Sequence, residues 1–263
     1  MKSRAMKSPL LVSVIIPNYN NAQYLGACLE SCMTQTYQAL EIIVIDDCST
    51  DASVEIIEAY CRRDKRIRLI CNIVNQKVSS TRHTGILECK GSWITTLDSD
   101  DFYLSPDKIR REVEVLELHR FRKDIIAYSG IVLCDADGTP GRHLMSAETV
   151  PEGDLYDSIL TRSGVIPRDF LFSKEAYFDA GGFDRELQIF EDWDLKIRLA
   201  KRARFFYSGI DDGIGYRLHG HGLSSVTVLK KLRGLFTVFS RYAHWQHYAG
   251  LAFSMLQQLL SHR

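Results

Sequence analysis

The stretch WITTLDSDDFYLSP, Trp93 to Pro106, runs from apolar residues straight into Asp98, Asp100 and Asp101, then into Phe102 and Tyr103. Three carboxylates within four residues repel one another, so a chain that sets them at the end of a hydrophobic strand needs a cation there. One or two carboxylates together with substrate phosphates are the usual seat of Mg²⁺ or Mn²⁺. A solvated turn or a helix cap would explain the same string standing alone. Its place after a buried strand favours the cation site.

Upstream, the same arrangement recurs. LVSVIIP reads as a buried strand ended by Pro17, and Tyr24, Leu25, Cys28, Leu29, Cys32 and Met33 then repeat at helical spacing. LEIIVIDD is a second buried strand, followed by a helix carrying Val54, Ile56, Ile57 and Tyr60. IRLICNIV is a third strand, and Ser79 to Cys89 a third helix. Continuous apolar strands alternating with helices predict an α/β fold whose mostly parallel sheet is covered on both faces. Polar residues gather where the strands end: Asn18, Tyr19 and Asn20; Asp46 and Asp47; Asn72 and Asn75; Asp98, Asp100 and Asp101. Ligands of open parallel sheets bind outside those ends.

Downstream, Ser105 and Pro106 suit the start of a helix with Ile109, Val113 and Leu116 on one face. IIAYSGIVLC reads as strand, with a turn at Asp137-Gly138. SKEAYFDAGGFD is a short helix stopped by Gly181-Gly182, and FEDWDLKIRLAKRA a further helix. Residues 140–170 carry no clear period.

The charge balance, 33 basic against 33 acidic residues, gives no global field that would draw nucleic acid. The distribution is uneven: beyond Asp212 there is no carboxylate, only Arg217, Lys230, Lys231, Arg233, Arg241 and Arg263. The seven cysteines form no C-x-x-C pair and lie mostly in apolar runs. They read as reduced, buried thiols of a cytoplasmic chain, not as a disulfide framework or zinc site. The N-terminal MKSRAMKSPL precedes too short an apolar run for a signal segment, and no stretch reaches the roughly 18 apolar residues of a spanning helix. G-x-G-x-x-G, G-x-x-x-x-G-K-[ST] and G-x-S-x-G are all absent, which argues against nicotinamide cofactors, P-loop hydrolysis and nucleophile-elbow hydrolases.

Several candidates are ambiguous by themselves. Glu191, Asp192 and Asp194 open a helix, where acids favour the dipole; one of them could equally be a general base. Arg82 is either a surface arginine or a phosphate or base contact. His219 and His221 lie in the glycine-rich YRLHGHGLSS, a flexible loop or a ligand-binding one.

Taken together, VSVIIPNYN, EIIVIDDCSTD, RHTGI, WITTLDSDD, AGGFDREL, EDWDLKIRLA and YRLHGHGLSS resemble, in order and spacing from about Val12 to about Ser225, the inverting family 2 glycosyltransferases of GT-A fold. That resemblance implies a nucleotide-diphospho-sugar donor, expected to be a UDP-sugar, and Mn²⁺ or Mg²⁺. By the same resemblance Pro17 and Tyr19 flank the base, Asp47 contacts the base, Arg82 the base or phosphates, and Asp98 the ribose. Asp100 and Asp101 hold the metal, with His219 at the metal or diphosphate. Asp192 is the general base, with Glu191 and Trp193 shaping the acceptor pocket. One departure is local: where the family reads N-x-G-x-S-x-A-R-N, this chain has Lys77 for Gly, Thr81 for Ala and His83 for Asn.

The expected organisation is a catalytic domain over 1–225 and a basic amphipathic helical tail over 226–263. In the tail Leu229, Leu232, Phe236, Phe239 and Ala243 share a face, and LAFSMLQQLL follows. The tail is expected to pack on the catalytic domain or a second subunit, or to sit at the inner face of a membrane, which suits a saccharide or lipid-linked acceptor. The competing functions are a metal-dependent nucleotidyltransferase or phosphohydrolase, and a non-catalytic sugar-nucleotide binder. The first of these would want a Gly/Arg/Lys-rich loop after the first strand, and PNYNNAQYL is not one.

Overall fold

The computed structural model of the 263-residue chain describes residues 9–145, 150–163, 167–187, 189–219, 227–244 and 247. His221 and LAFSMLQQLL lie outside them. The N-terminal half alternates as expected: β1 (Val12–Asn18), α1 (Ala22–Met33), β2 (Leu40–Asp46), α2 (Ser53–Arg63), β3 (Ile67–Cys71), α3 (Lys77–Glu88) and β4 (Trp93–Thr96). Pro17 does not end the first strand, because β1 stays in register with β2 through Asn18 and Asp46. After β5 (Phe102–Tyr103) comes α4 (Lys108–Leu118), two residues later than the Ser105-Pro106 signal suggests: the Ser105 hydroxyl accepts from the Asp107 amide in the turn before the helix.

The chain continues through β6 (Ile125–Tyr128), β7 (Ile131–Cys134), β8 (Pro140–His143), α5 (Tyr156–Thr161), β9 (Phe172–Ser173), α6 (Lys174–Asp179) and α7 (Glu191–Ala200). It closes its described part with β10 (Arg204–Tyr207), β11 (Ile214–Arg217) and α8 (Val228–Tyr242). α6 ends beside Gly181 and Gly182, both at positive φ. The segment without a sequence period therefore contains β8 and α5.

The principal sheet has the order β3-β2-β1-β4-β9, parallel except for β9. A second, mixed sheet, β5-β11-β7-β8, and the parallel pair β10-β6 complete the fold. Strand order reverses at β1, which has β2 on one side and β4 on the other, so a crevice opens beyond their carboxyl ends. Both faces are buried. Val14, Ile16, Ile42 and Val44 pack with Leu25, Cys28 and Leu29 of α1, while Ile15, Ile43, Ile45 and Ile94 face Ile86, Trp193 and Ile197. This is why the strands read as unbroken apolar runs. Gly85 lets α3 lie close against the sheet: a Cβ there would stand 2.4 Å from Ile45 Cδ1.

Two further expectations change. Cys48 and Cys71 are exposed, while Cys28, Cys32, Cys89 and Cys134 are buried; all seven are free thiols. In α8 the buried stripe is Leu235, Val238 and Phe239, with Tyr242 packed beside it, whereas Leu229 and Phe236 are exposed. Leu235, Val238, Phe239 and Tyr242 fall at i, i+3, i+4 and i+7, one helical face. Gly234 brings this helix against Ile189 and Phe190, and a Cβ there would meet Ile189 Cδ1 at 2.6 Å. Arg241 pairs with Asp184 at 2.7 Å, and the Tyr242 hydroxyl donates to Asp194 at 2.6 Å. α8 is thus docked behind the start of α7, its buried stripe part of the same hydrophobic core as Trp193 and Leu195. Among the described residues no helix is long and apolar enough to cross a membrane.

Candidate active site

At the end of β1, Asn18 donates to Asp46 at 2.8 Å, and Asp46 also accepts from the Ser49 amide and hydroxyl. Asp46 therefore shapes the loop. Pro17 is buried in β1, and Tyr19 beyond it is 48% exposed, free to cover a flat ligand. Asp47 turns to the next helix: its carboxylate accepts from Asn72 Nδ2 (2.8 Å) and from the amides of Gln76 (2.8 Å) and Lys77 (2.9 Å). It satisfies otherwise orphaned N–H groups at the start of α3, a cap delivered from a distant strand. Lys77 takes φ 71°, left-handed backbone that suits the glycine usual at this point of the motif.

Arg82 leaves α3 nearly buried and bridges two elements. Its Nη2 donates to Asp98 at 2.5 Å beyond β4, and its Nη1 to Glu191 at 2.7 Å at the start of α7. Burial opposes its charge, but Asp98 and Glu191 outweigh that and hold it firmly protonated. Its Nε is buried and has no acceptor among the described residues. Burial likewise works against ionised Asp98, and Arg82 and Arg168 overcome it, so its carboxyl is held below the usual range.

Asp98, Asp100 and Asp101 converge, each offering an oxygen within 4.8 Å of the others. His219 Nε2 lies 2.8 Å from Asp100 Oδ2, and its ring packs 4.8 Å from that of Tyr24. Asp101 is buried; it accepts from the Arg217 amide at 2.9 Å and from Arg168 Nη2 at 2.9 Å. Burial together with the neighbouring Asp100, Asp98 and Asp169 carboxylates pushes its carboxyl well up, against the pull of Arg168. Hard oxygens with one imidazole nitrogen fit Mg²⁺ or Mn²⁺, and a dication would relieve the mutual repulsion.

Arg168, Arg217 and Lys196 were not legible as site residues. Arg168 touches Asp98 (3.2 Å) and Asp101 (2.9 Å), and its guanidinium lies 4.2 Å from the centre of the Tyr216 ring. Its loop is pinned from behind, since wholly buried Lys108 donates to the Asp169 carbonyl at 2.6 Å and pairs with Glu112 at 3.0 Å. Burial pushes the Glu112 carboxyl up to about 7. Arg217 donates to the Asp100 carbonyl and is flanked by Tyr24 and Phe102.

Across the crevice, Phe190 adopts φ 63° and turns the chain into α7. Asp192 is half exposed there, with Lys196 Nζ 2.8 Å from its Oδ2. Burial opposes its ionisation, but Lys196, Arg82 and Arg162 pull its carboxyl well below the usual range. Glu191, expected on the acceptor side, is instead buried against Arg82. Trp193 does not line an open acceptor pocket: it is 1% exposed and donates its indole N–H to the Ile159 carbonyl at 2.6 Å. A small open cleft is lined by Arg82, Asp98, Arg168, Asp192 and Lys196, so Asp98 after β4 and Asp192 of α7 face one space.

Residues 13–172 match the profile of Glycosyl transferase family 2. The chain belongs to this family. The chain is 30% identical to chondroitin synthase of Escherichia coli over 206 residues, which are 78% of this chain and 29% of that one. It spans about a third to a half of the length of the curated relatives it matches. In fold it is similar to Staphylococcus aureus TarS 1–349 solved with UDP-GlcNAc (TM-score 0.72, 21% identity, 96% of this chain and 73% of that one). It is also similar to the mannosyltransferase PcManGT of Pyrobaculum calidifontis, solved with GDP-Man and Mn²⁺ (TM-score 0.65, 16% identity, 89% of this chain and 65% of that one). The fold of this chain is therefore the GT-A α/β fold, with α8 as the last of its described helices.

Proposed function

We propose that this chain transfers a sugar from a nucleoside diphosphate, a UDP-sugar, to an acceptor hydroxyl with inversion. The observation that carries the reading is that Asp98 of the strand-end acid cluster and Asp192 of α7 line the same cleft. Tyr19 and Pro17 would hold the base, with Asp47 fixing the loop beside it. Arg82 would meet the base or phosphates, and Asp98 the ribose. Asp100, Asp101 and His219 would hold Mn²⁺ or Mg²⁺, which when bound offsets charge on the departing diphosphate.

Asp192, kept ionised by Lys196, takes the proton of the acceptor hydroxyl. The hydroxyl oxygen bonds to the anomeric carbon as the bond from that carbon to the diphosphate oxygen breaks on the opposite face. One displacement inverts the centre, and positioning supplies much of the remaining rate. A saccharide or lipid-linked acceptor suits the exposed side of α8, where Leu229 and Phe236 stand with Lys230 and Arg233 and could meet an anionic membrane face.

The test is equilibrium binding of UDP and UDP-GlcNAc with and without Mn²⁺, with turnover followed as release of UDP. Asp100→Asn should remove the Mn²⁺ dependence of binding. Asp192→Asn should bind normally and turn over roughly 10²- to 10⁴-fold more slowly. Mn²⁺-dependent binding that survives in Asp100→Asn, or normal turnover in Asp192→Asn, overturns the assignment.

A further inference from the structure

The charges around Asp192 pair off, with one exception. Arg82 is matched by Asp98 and Glu191, and Lys196 by Asp192 itself. Arg162 is close enough to act on Asp192, yet among the described residues no carboxylate or carbonyl accepts from its guanidinium. What it meets instead is aromatic: its Cζ lies 5.3 Å from the centre of the Phe190 ring and 5.2 Å from that of Trp193.

Trp193 cannot yield, because it is buried and tied through its indole N–H to the Ile159 carbonyl, one turn before Arg162. The Arg162 amide itself donates to that same carbonyl, and position 162 takes φ 53° as the C-cap of α5. The guanidinium is thus held at the entrance to α7 by both ends of its side chain. It is partly withdrawn from water, and burial works to lower its affinity for a proton, opposed only by Asp192.

Aromatic rings satisfy the flat faces of a guanidinium. They leave the N–H groups in its plane without acceptors, and that fork matches the two oxygens of a carboxylate or phosphate. Asp192 cannot serve, since its Oδ2 is engaged by Lys196 and its role is to receive a proton. Of the three cations that act on Asp192, Arg162 alone has no carboxylate hydrogen-bonded to it among the described residues.

We propose that Arg162 is an anion-binding residue for the acceptor, so that the sugar or lipid-linked group glycosylated by this chain carries a carboxylate or phosphate close to its attacking hydroxyl. This rests on the glycosyltransferase reading and on Asp192 marking the acceptor side. A uronic acid and a phosphorylated glycan or lipid share this chemistry.

The experiment uses the full chain with Mn²⁺ and UDP, and titrates methyl β-D-glucuronide, glycerol 3-phosphate and neutral methyl β-D-glucoside by ligand-observed NMR. Wild type should bind at least one charged probe tenfold or more tightly than the glucoside, and the charged probe that wins identifies the source of the anion. The advantage should fall with added salt, vanish in Arg162→Met and survive in part in Arg162→Lys, while UDP binding is unchanged in both. Equal binding of charged and neutral probes by wild type, or binding of none, overturns the proposal. So does a charge preference that persists in Arg162→Met. Should Arg162→Met fail to fold, wild type and Arg162→Lys decide. A chain that binds no UDP in any form would refute the glycosyltransferase reading separately.

Discussion

Replacing Arg82 with methionine keeps most of the side chain's volume and strands two carboxylates. Glu191 is 4% exposed and its only ion-pair partner among the described residues is Arg82; Asp98 keeps Arg168 at 3.2 Å. Removing one partner of a buried pair costs about 3–5 kcal/mol, because the other charge stays buried. Asp98 is partly open to water, so most of that cost falls on Glu191. For a chain of this size the loss corresponds to a fall in melting temperature on the order of 10 °C.

The sign of the pH dependence follows from the Asp98 carboxyl, which folding lowers. The stability it contributes is present above the ordinary aspartate pKa of about 4 and is lost as pH falls through the lowered value. Glu191 is already raised by burial, with Arg82 pulling the other way; without Arg82 it rises further and takes up a proton. The gap between wild type and Arg82→Met should therefore be widest near pH 7 and narrow toward pH 4. Arg82→Met/Glu191→Gln should recover part of the loss at pH 7. Urea and thermal denaturation at the two pH values measure it. An Arg82→Met protein as stable as wild type at pH 7, or equally destabilised at both, refutes the argument from buried charge.

Lys196→Met should raise the Asp192 carboxyl toward the ordinary range, so the acid limb of the kcat/KM profile moves to higher pH; an unmoved limb would mean that Asp192 is not the base. Lys77→Gly relieves left-handed backbone at φ 71° and should stabilise by about 1 kcal/mol, read as an upward shift of the urea midpoint, whereas a loss would mean that the lysine side chain itself holds the turn. Phe239→Ala should cost about 3–5 kcal/mol, as a buried aromatic does, while Leu229→Ala, at 79% exposure, should leave the midpoint unchanged; equal effects would contradict the docked orientation of α8.

The sequence by itself determined the layered α/β fold and the edge on which the chemistry gathers. Strands buried on both faces must be continuously apolar and helices between them periodic, so β1 to β4 and α1 to α3 are written in local pattern. The acids after β2 and β4 are legible because polarity breaks abruptly where a buried strand ends. Only the tertiary structure decided what those acids pair with. Arg82 meets Glu191 across 109 residues, and Arg217 meets Asp101 across 116; nothing in local spacing encodes such a meeting. Arg168 lay in a stretch without periodicity, so no signal marked it. Glu191 and Trp193 adjoin Asp192 in sequence, but successive residues of a helix point about 100° apart, and only the packed core shows that these two turn inward. The α8 pattern admits two apolar stripes; the wall formed by Ile189, Phe190 and Asp194 selects Leu235, Val238, Phe239 and Tyr242, because that stripe alone has surface to meet.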